Sequence, residues 1–240
     1  MSVTSSLTTP MRLLLLLLAF FACSCSKQQD PTPPQAAGPL PASNYLALGD
    51  SYTIGEGAAP AERWPVQLAA LARQQGLNLQ EPAIIARTGW TTGELLEAIA
   101  NAQLTRTYDL VSLQIGVNNQ YRGQSLATFR REFEQLLQTS QALAGNRAGR
   151  VLVLSIPDWG QSAFAADQDR ARIGAEIDEF NAAARQACQA RGMAFVDITP
   201  LTRAAAGDNT QFVRDGLHYS GLQMGQWARQ ALPAAASALR

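Results

Sequence analysis

The chain has 240 residues, 47% hydrophobic and 16% charged, which is enough to bury one substantial core and excludes a disordered or repetitive chain. Lysines plus arginines and aspartates plus glutamates balance at 19 each, so the charge implies neither a nucleic-acid footprint nor a strongly charged substrate. Three cysteines and a single histidine offer no zinc or iron–sulfur spacing, and no metal or cofactor is expected.

An apolar run from Leu13 to Phe21 directly follows Arg12. It is too short to span a bilayer as a mature helix and reads as a secretory leader over residues 1–25. Met11-Arg12 would start a compact leader on its own, which makes residues 1–10 a candidate extension. The run ends in Ala22-Cys23 and Ser24-Cys25 and resembles the leaders of bacterial lipoproteins, in which a small residue precedes a cysteine that becomes the lipidated first mature residue. Both Cys23 and Cys25 fit that pattern, although Phe20 and Phe21 are bulky before the first. Ordinary cleavage near Ala22, giving a secreted protein, is the alternative. Residues 26–43, with five prolines and Lys27, Gln28, Gln29 and Asp30, read as a solvated tether. The expected folded domain is 44–240, exported and either anchored by lipid at the periplasmic or outer-membrane surface or secreted.

Tyr45 to Leu48 is a short apolar run that stops at Gly49, the pattern of a buried parallel strand feeding a loop at the sheet edge. That loop, Gly49-Asp50-Ser51-Tyr52-Thr53-Ile54-Gly55-Glu56-Gly57, delivers one serine into a glycine-rich turn where Asp50 can bind local amides. Trp64, Pro65, Leu68, Ala69, Leu71 and Ala72 carry helical spacing up to Gln75, and Gly76 ends it. Residues 81–86 predict a second strand, followed by Arg87-Thr88-Gly89-Trp90 and a helix over 94–104. Residues 109–115 predict a third strand, ending in Gly116-Val117-Asn118-Asn119. A long amphipathic helix over 125–143 precedes an apolar strand over 150–156 and the loop Pro157-Asp158-Trp159-Gly160. A helix over about 169–191, a fifth strand over 193–198 and an alanine-rich helix over about 219–239 complete the chain. Strands alternating with helices at this spacing predict a parallel sheet covered on both faces, an α/β/α sandwich.

The single histidine, His218, sits three positions after Asp215 in Arg214-Asp215-Gly216-Leu217-His218-Tyr219-Ser220, so any serine–histidine chemistry must use it. A carboxylate at that spacing can hold one imidazole nitrogen while the other faces a serine hydroxyl; a helix-capping histidine is the bland alternative. Four loops thus offer Ser51, Gly89, Asn118 and the Asp215/His218 pair. Together GDSYTIGEG, the glycine of RTGWTTGELL, GVNN and DGLHYS resemble, in order, the four sequence blocks of the SGNH, or GDSL, hydrolase family, over Tyr45 to the C-terminus. The resemblance implies a flavodoxin-like fold with a five-stranded parallel sheet in the order 2-1-3-4-5, and acyl-ester hydrolysis. It also implies Ser51 as nucleophile, His218 as general base and then acid, and Asp215 as the imidazole's partner. The Ser51 and Gly89 N–H groups and the Asn118 amide would form the oxyanion hole. Asn119 departs from the pattern, whose third block commonly has aspartate there. The G-x-S-x-G elbow of α/β-hydrolases is not matched, since Gly49-Asp50-Ser51-Tyr52-Thr53 lacks the second glycine.

Trp90, Tyr121, Asp158, Trp159 and Phe164 fall in loops expected at the same sheet edge and are candidates for shaping an acyl or leaving-group pocket; packing over a core end is the alternative. Gln120-Tyr121-Arg122 could contact a polar leaving group or be a solvated helix start. Cys188 reads as a small core residue. The expected substrate is a small-molecule or carbohydrate-linked acyl ester, or a lysophospholipid. An acyltransferase of the same fold and a non-catalytic glycan-binding envelope lipoprotein are the alternatives.

Overall fold

In the computed structural model the described residues are 41–240; the expected leader, Cys23 and Cys25, and all but the end of the tether lie outside them. In chain order the elements are β1 (Tyr45–Gly49), α1 (Ser51–Ile54), α2 (Trp64–Gln74), β2 (Ala83–Ala86), α3 (Thr92–Asn101), β3 (Leu110–Gln114) and α4 (Val117–Tyr121). They continue with α5 (Leu126–Leu143), β4 (Val151–Leu154), α6 (Arg170–Ala190), β5 (Ala194–Val196), α7 (Thr199–Ala204) and α8 (Gly221–Ala238). The strands form one parallel sheet in the order β2-β1-β3-β4-β5. Leu48 of β1 stands opposite Ile85 on one side and Leu113 on the other.

Every residue of β1, β3 and β4 is buried, as their near-continuous apolar sequence requires for strands covered on both faces. One covering layer is α2 packed on α8; the other is α3, α5 and α6, with α5 in contact with both of the others. Fully burying a leucine such as Leu46, Leu48, Leu110 or Leu113 contributes about 2 kcal/mol each, which makes these strands the rigid floor of whatever lies at their carboxyl ends. Cys188 belongs to this core: it is fully buried, and burial together with the Glu134 charge pushes its thiol up to about 12.

Several boundaries differ from the sequence pattern, each for a physical reason. The fourth strand stops at Leu154 rather than 156 because the backbone of Ile156 is taken by a side chain of α6: its N–H donates to Asn181 Oδ1 (2.9 Å) and its carbonyl accepts from Asn181 Nδ2 (3.1 Å). Arg150 lies in a 3₁₀ turn before the strand. The six-residue α7, too short to show a helical period, was not expected; it begins just after Ile198 with Pro200 in its first turn, where a missing N–H costs nothing. Ser43, placed by composition at the end of the tether, is already paired with the fold, donating to the Asn78 carbonyl (2.8 Å) and accepting from Gln80 N–H (2.9 Å).

The strand order places the topological switch between β1 and β3, whose chains leave the sheet toward opposite sides, and ligands in such sheets bind in the crevice this opens. Ser51 follows β1 and Asn118 follows β3.

Candidate active site

Ser51 lies not in an open turn but at the first position of α1. Asp50 is the N-cap: its Oδ1 accepts the Tyr52 N–H (3.0 Å), and the short helix closes at Gly55 in the left-handed conformation, φ 64°. Gly49 is required by space, since a Cβ there would come within 2.5 Å of the Gln114 carbonyl oxygen. The strand can therefore run into the helix with no side chain between β1 and β3. Asp50 is almost fully buried and its Oδ2 has no hydrogen-bond partner; burial pushes its carboxyl up to about 7, against the pull of the backbone bonds it accepts.

His218 arrives on the loop before α8. An antiparallel bridge between Phe212 and Tyr219, with Val213 N–H donating to the His218 carbonyl (2.9 Å), folds residues 213–218 into a tight excursion. Asp215 shapes it twice over. Its Oδ1 accepts the N–H groups of Leu217 (2.8 Å) and His218 (2.9 Å), and its Oδ2 lies 2.6 Å from His218 Nδ1. Partial burial opposes ionisation of Asp215, but the hydrogen bonds from the His218 ring and from the Leu217 and His218 N–H groups outweigh it and hold the carboxyl below its ordinary range. An ionised carboxylate only accepts, so Nδ1 is the donor in this pair, and in the neutral imidazole Nε2, on the opposite side of the ring, is the acceptor. Tyr52 backs the imidazole, ring centroids 5.4 Å apart. No direct hydrogen bond joins the Ser51 hydroxyl to the imidazole among the described residues, and such contacts often tighten only with substrate bound.

The loop 87–92, which carries Gly89 at φ 84°, is held at successive levels from α4 and from Arg122, the residue that ends that helix. The Arg122 guanidinium donates to the Gly89 carbonyl, and Asn118 Nδ2 donates to the Trp90 carbonyl (3.0 Å). Asn119, fully buried, accepts the Thr92 N–H (3.0 Å) and donates to Thr92 Oγ1 (2.6 Å) and Gln124 Oε1 (2.8 Å). Thr92 in turn donates to Glu132 Oε2 (2.5 Å) on α5. The neutral amide at 119 thus ties the loop through two bonds to Thr92 and is itself held by a third to Gln124, and the carboxylate of the local network sits at Glu132. An amide nitrogen has two protons, so the bond to the Trp90 carbonyl orients Asn118 and leaves one N–H to point elsewhere.

Ser51, Gly89, Asn118 and His218, from four separated stretches of chain, line a single cavity of about 140 Å³ together with Tyr52, Thr88, Val117, Tyr121, Trp159, Phe164 and Leu217. Of the five candidates for shaping the pocket, Tyr121, Trp159 and Phe164 reach it; Trp90 and Asp158 do not. Trp90 packs its ring partly buried against the core and presents its carbonyl to Asn118. Asp158, fully buried, turns to α7: Oδ2 accepts from Arg203 Nε (2.9 Å) and Oδ1 from the Gly160 N–H (3.0 Å), so the carboxylate expected near substrate instead anchors the loop after β4. Gln120 is buried rather than solvated: it joins Trp159 Nε1 (2.8 Å) to Glu176 (2.7 Å). Tyr52, Thr88, Val117 and Leu217 were not singled out for the cavity from sequence, although Tyr52 and Leu217 adjoin Ser51 and His218.

A family model described as GDSL-like lipase/acylhydrolase matches residues 47–222. The fold is similar to that of solved structures at low identity. A lipase/acylhydrolase from Enterococcus faecalis matches with a TM-score of 0.64 and 21% identity, covering 82% of this chain and 97% of that one. The acetylxylan esterase Axe2 from Geobacillus stearothermophilus matches with a TM-score of 0.63 and 16% identity, covering 80% and 94%. A phospholipase A1 from Streptomyces albidoflavus matches with a TM-score of 0.57 and 22% identity, covering 81% and 98%. No curated protein matches the chain. With the matched region running from β1 into the start of α8, and so across every wall of the cavity, the chain belongs to the GDSL-like lipase/acylhydrolase family of hydrolases.

Proposed function

We propose that the protein is a serine esterase that cleaves carboxylic esters through an acyl-enzyme. The observation that carries this reading is the convergence of Ser51, Gly89, Asn118 and His218 on one cavity, with His218 Nδ1 held 2.6 Å from Asp215. In this reading His218 Nε2 takes the Ser51 proton as Oγ attacks the ester carbonyl, and the imidazolium that forms is stabilised by the Asp215 carboxylate. The negative charge on the carbonyl oxygen is met by the Ser51 and Gly89 N–H groups and the remaining Asn118 N–H, donors that are fixed before reaction. Collapse expels the alcohol, protonated by His218; a water activated by the same imidazole then releases the acid and frees Ser51. The clamp of α4 on loop 87–92 supports this role, because an oxyanion hole is effective only if its donors do not have to reorganise.

The reading is tested with the full-length protein on p-nitrophenyl acetate and butyrate, with the Ser51→Ala variant as control. Hydrolysis by the native chain alone is expected, and inactivity on both esters would count for a binding protein that keeps the pocket without the reaction.

We further propose that the chain is exported and anchored through lipid on Cys23 or Cys25, which supports action on envelope or extracellular esters. Mass spectrometry of the mature N-terminus decides it: a diacylglyceryl cysteine is expected at one of the two positions, and a free N-terminus near residue 23 would mean secretion instead.

A further inference from the structure

Trp159 is 5% exposed, whereas Tyr121 and Phe164 beside it are 54% and 47% exposed. Their ring centroids lie 5.2 Å and 6.2 Å from that of the indole, both edge-on. The indole is therefore the back of the cavity's aromatic side, and the other two rings are its rim. The back is also fixed in orientation. Trp159 Nε1 donates to Gln120 Oε1 (2.8 Å), and Gln120 Nε2 donates to Glu176 Oε2 (2.7 Å) on α6. An indole can only donate and a carboxylate can only accept, so both ends of the Gln120 amide are assigned by their partners and the amide cannot flip without losing both bonds.

The space in front of that wall is about 140 Å³, and no aspartate, glutamate, lysine or arginine lines it. A dry cavity of roughly 150 Å³ holds one benzene molecule. A longer chain has to leave over Tyr121 and Phe164 into water, where further methylenes gain no burial.

Resting on the esterase reading above, we propose that Trp159, locked by the Gln120–Glu176 relay, is the specificity-determining residue. It restricts the acyl group beside Ser51 to a neutral chain of about one ring in bulk, such as butyryl or hexanoyl. Gln120 is a positioning residue, acting through the indole.

The experiment measures kcat/KM of the full-length protein on p-nitrophenyl acetate, butyrate, hexanoate and dodecanoate, and follows the ratio of hexanoate to dodecanoate. The native protein is expected to favour hexanoate by on the order of tenfold or more, the scale on which pockets discriminate apolar groups. Trp159→Ala opens the back wall and is expected to lower the ratio by about tenfold. Trp159→Phe, which keeps a ring but lacks the donor, covers the case in which the alanine variant fails to fold, and should lower it less. Gln120→Glu sets two carboxylates against each other and should lower the ratio too. Adding Glu176→Gln exchanges the roles, with the carboxylate at position 120 accepting from the indole and from the new amide on α6, and should restore it. A purely structural defect would change the rates on all four esters together and leave the ratio alone. Native preference for dodecanoate, or ratios that none of these variants moves, would overturn the proposal while leaving the esterase reading intact; inactivity on every ester would overturn both.

Discussion

On the side of the cavity formed by α4 and loop 87–92, Asn119 is fully buried with three hydrogen bonds, and Asn118 and Arg122 hold the consecutive carbonyls of Trp90 and Gly89. On the aromatic side Tyr121 and Phe164 are about half exposed and touch each other and Trp159 through ring contacts. A developing charge must be met by donors placed to a fraction of an ångström, and satisfied buried polar networks give that rigidity. Apolar contact is non-directional, so the side that meets the variable part of a substrate can be built from rings whose edges remain free. In the proposed esterase the chemistry and the selectivity of this cleft are thus separable, and disturbing one half should leave the signature of the other.

The largest effect is expected at the groups proposed to react. Ser51→Ala or His218→Ala should each lower kcat by about four to six orders of magnitude, and the double variant should be no worse than the singles, because one step needs both. Single-turnover kinetics on p-nitrophenyl butyrate checks this; mild, additive losses would show two independent contributions.

Next comes the donor side. Asn118→Ala should reduce kcat on the order of a hundredfold or more with KM little changed, since the lost bond forms mainly as the carbonyl oxygen becomes charged. If KM alone rose, Asn118 would be a ground-state contact.

A smaller loss is expected from the tie behind that donor. Asn119→Asp replaces the donor facing Thr92 Oγ1 and Gln124 Oε1 with an acceptor, in a network whose carboxylate is already at Glu132. Mispairing a buried group costs about 1–3 kcal/mol, read as a lower thermal midpoint together with a partial loss of kcat. Adding Glu132→Gln should recover part of it, since Thr92 can then donate to the carboxylate at position 119 and accept from the new amide on α5. No recovery would mean that the two side chains are not coupled through Thr92.

The smallest effect should be confined to stability. Asp50 is held protonated up to about pH 7 in the fold but ionises from about 3.8 when unfolded, so the native state keeps the proton over that window and stability falls as pH rises through it. Asp50→Asn keeps a capping oxygen for Tyr52 and has no proton to lose. Its thermal midpoint, measured from pH 4 to 8, should lack the native protein's decline; parallel curves would show that Asp50 does not carry that slope. Asp215 contributes with the opposite sign: its carboxyl is held below the ordinary range, so its stabilisation is complete above about pH 4 and is lost only on stronger acidification.

The parts of the fold written in local pattern were readable from residues alone. The apolar runs of β1, β3 and β4, the spacing of Phe129, Phe133, Leu136 and Leu137 on α5, and the glycines at helix ends depend on neighbours a few positions away. Pairing a serine loop with a histidine loop was readable for a compositional reason: one histidine leaves one choice. Asp158 misled because a carboxylate in a loop after a strand has the same appearance whether it faces substrate or, as here, Arg203. Trp90 misled in the same way, its backbone carbonyl rather than its ring meeting the site.

What the amino-acid order determined by itself is the alternation of strand and helix, and with it the delivery of Ser51, Gly89, Asn118 and His218 to one edge of a parallel sheet. What only the tertiary structure decided is which side chains hold those groups still and close the cavity behind them: Asn119 on Thr92, Arg122 on Gly89, Asp158 on Arg203, and Gln120 between Trp159 and Glu176. The reason is physical. Hydrophobic burial follows a period that a short window reveals, whereas a buried polar group is satisfied by whichever partner the fold brings to it, and Gln120 finds Glu176 across 56 positions of chain that carry no mark of the meeting.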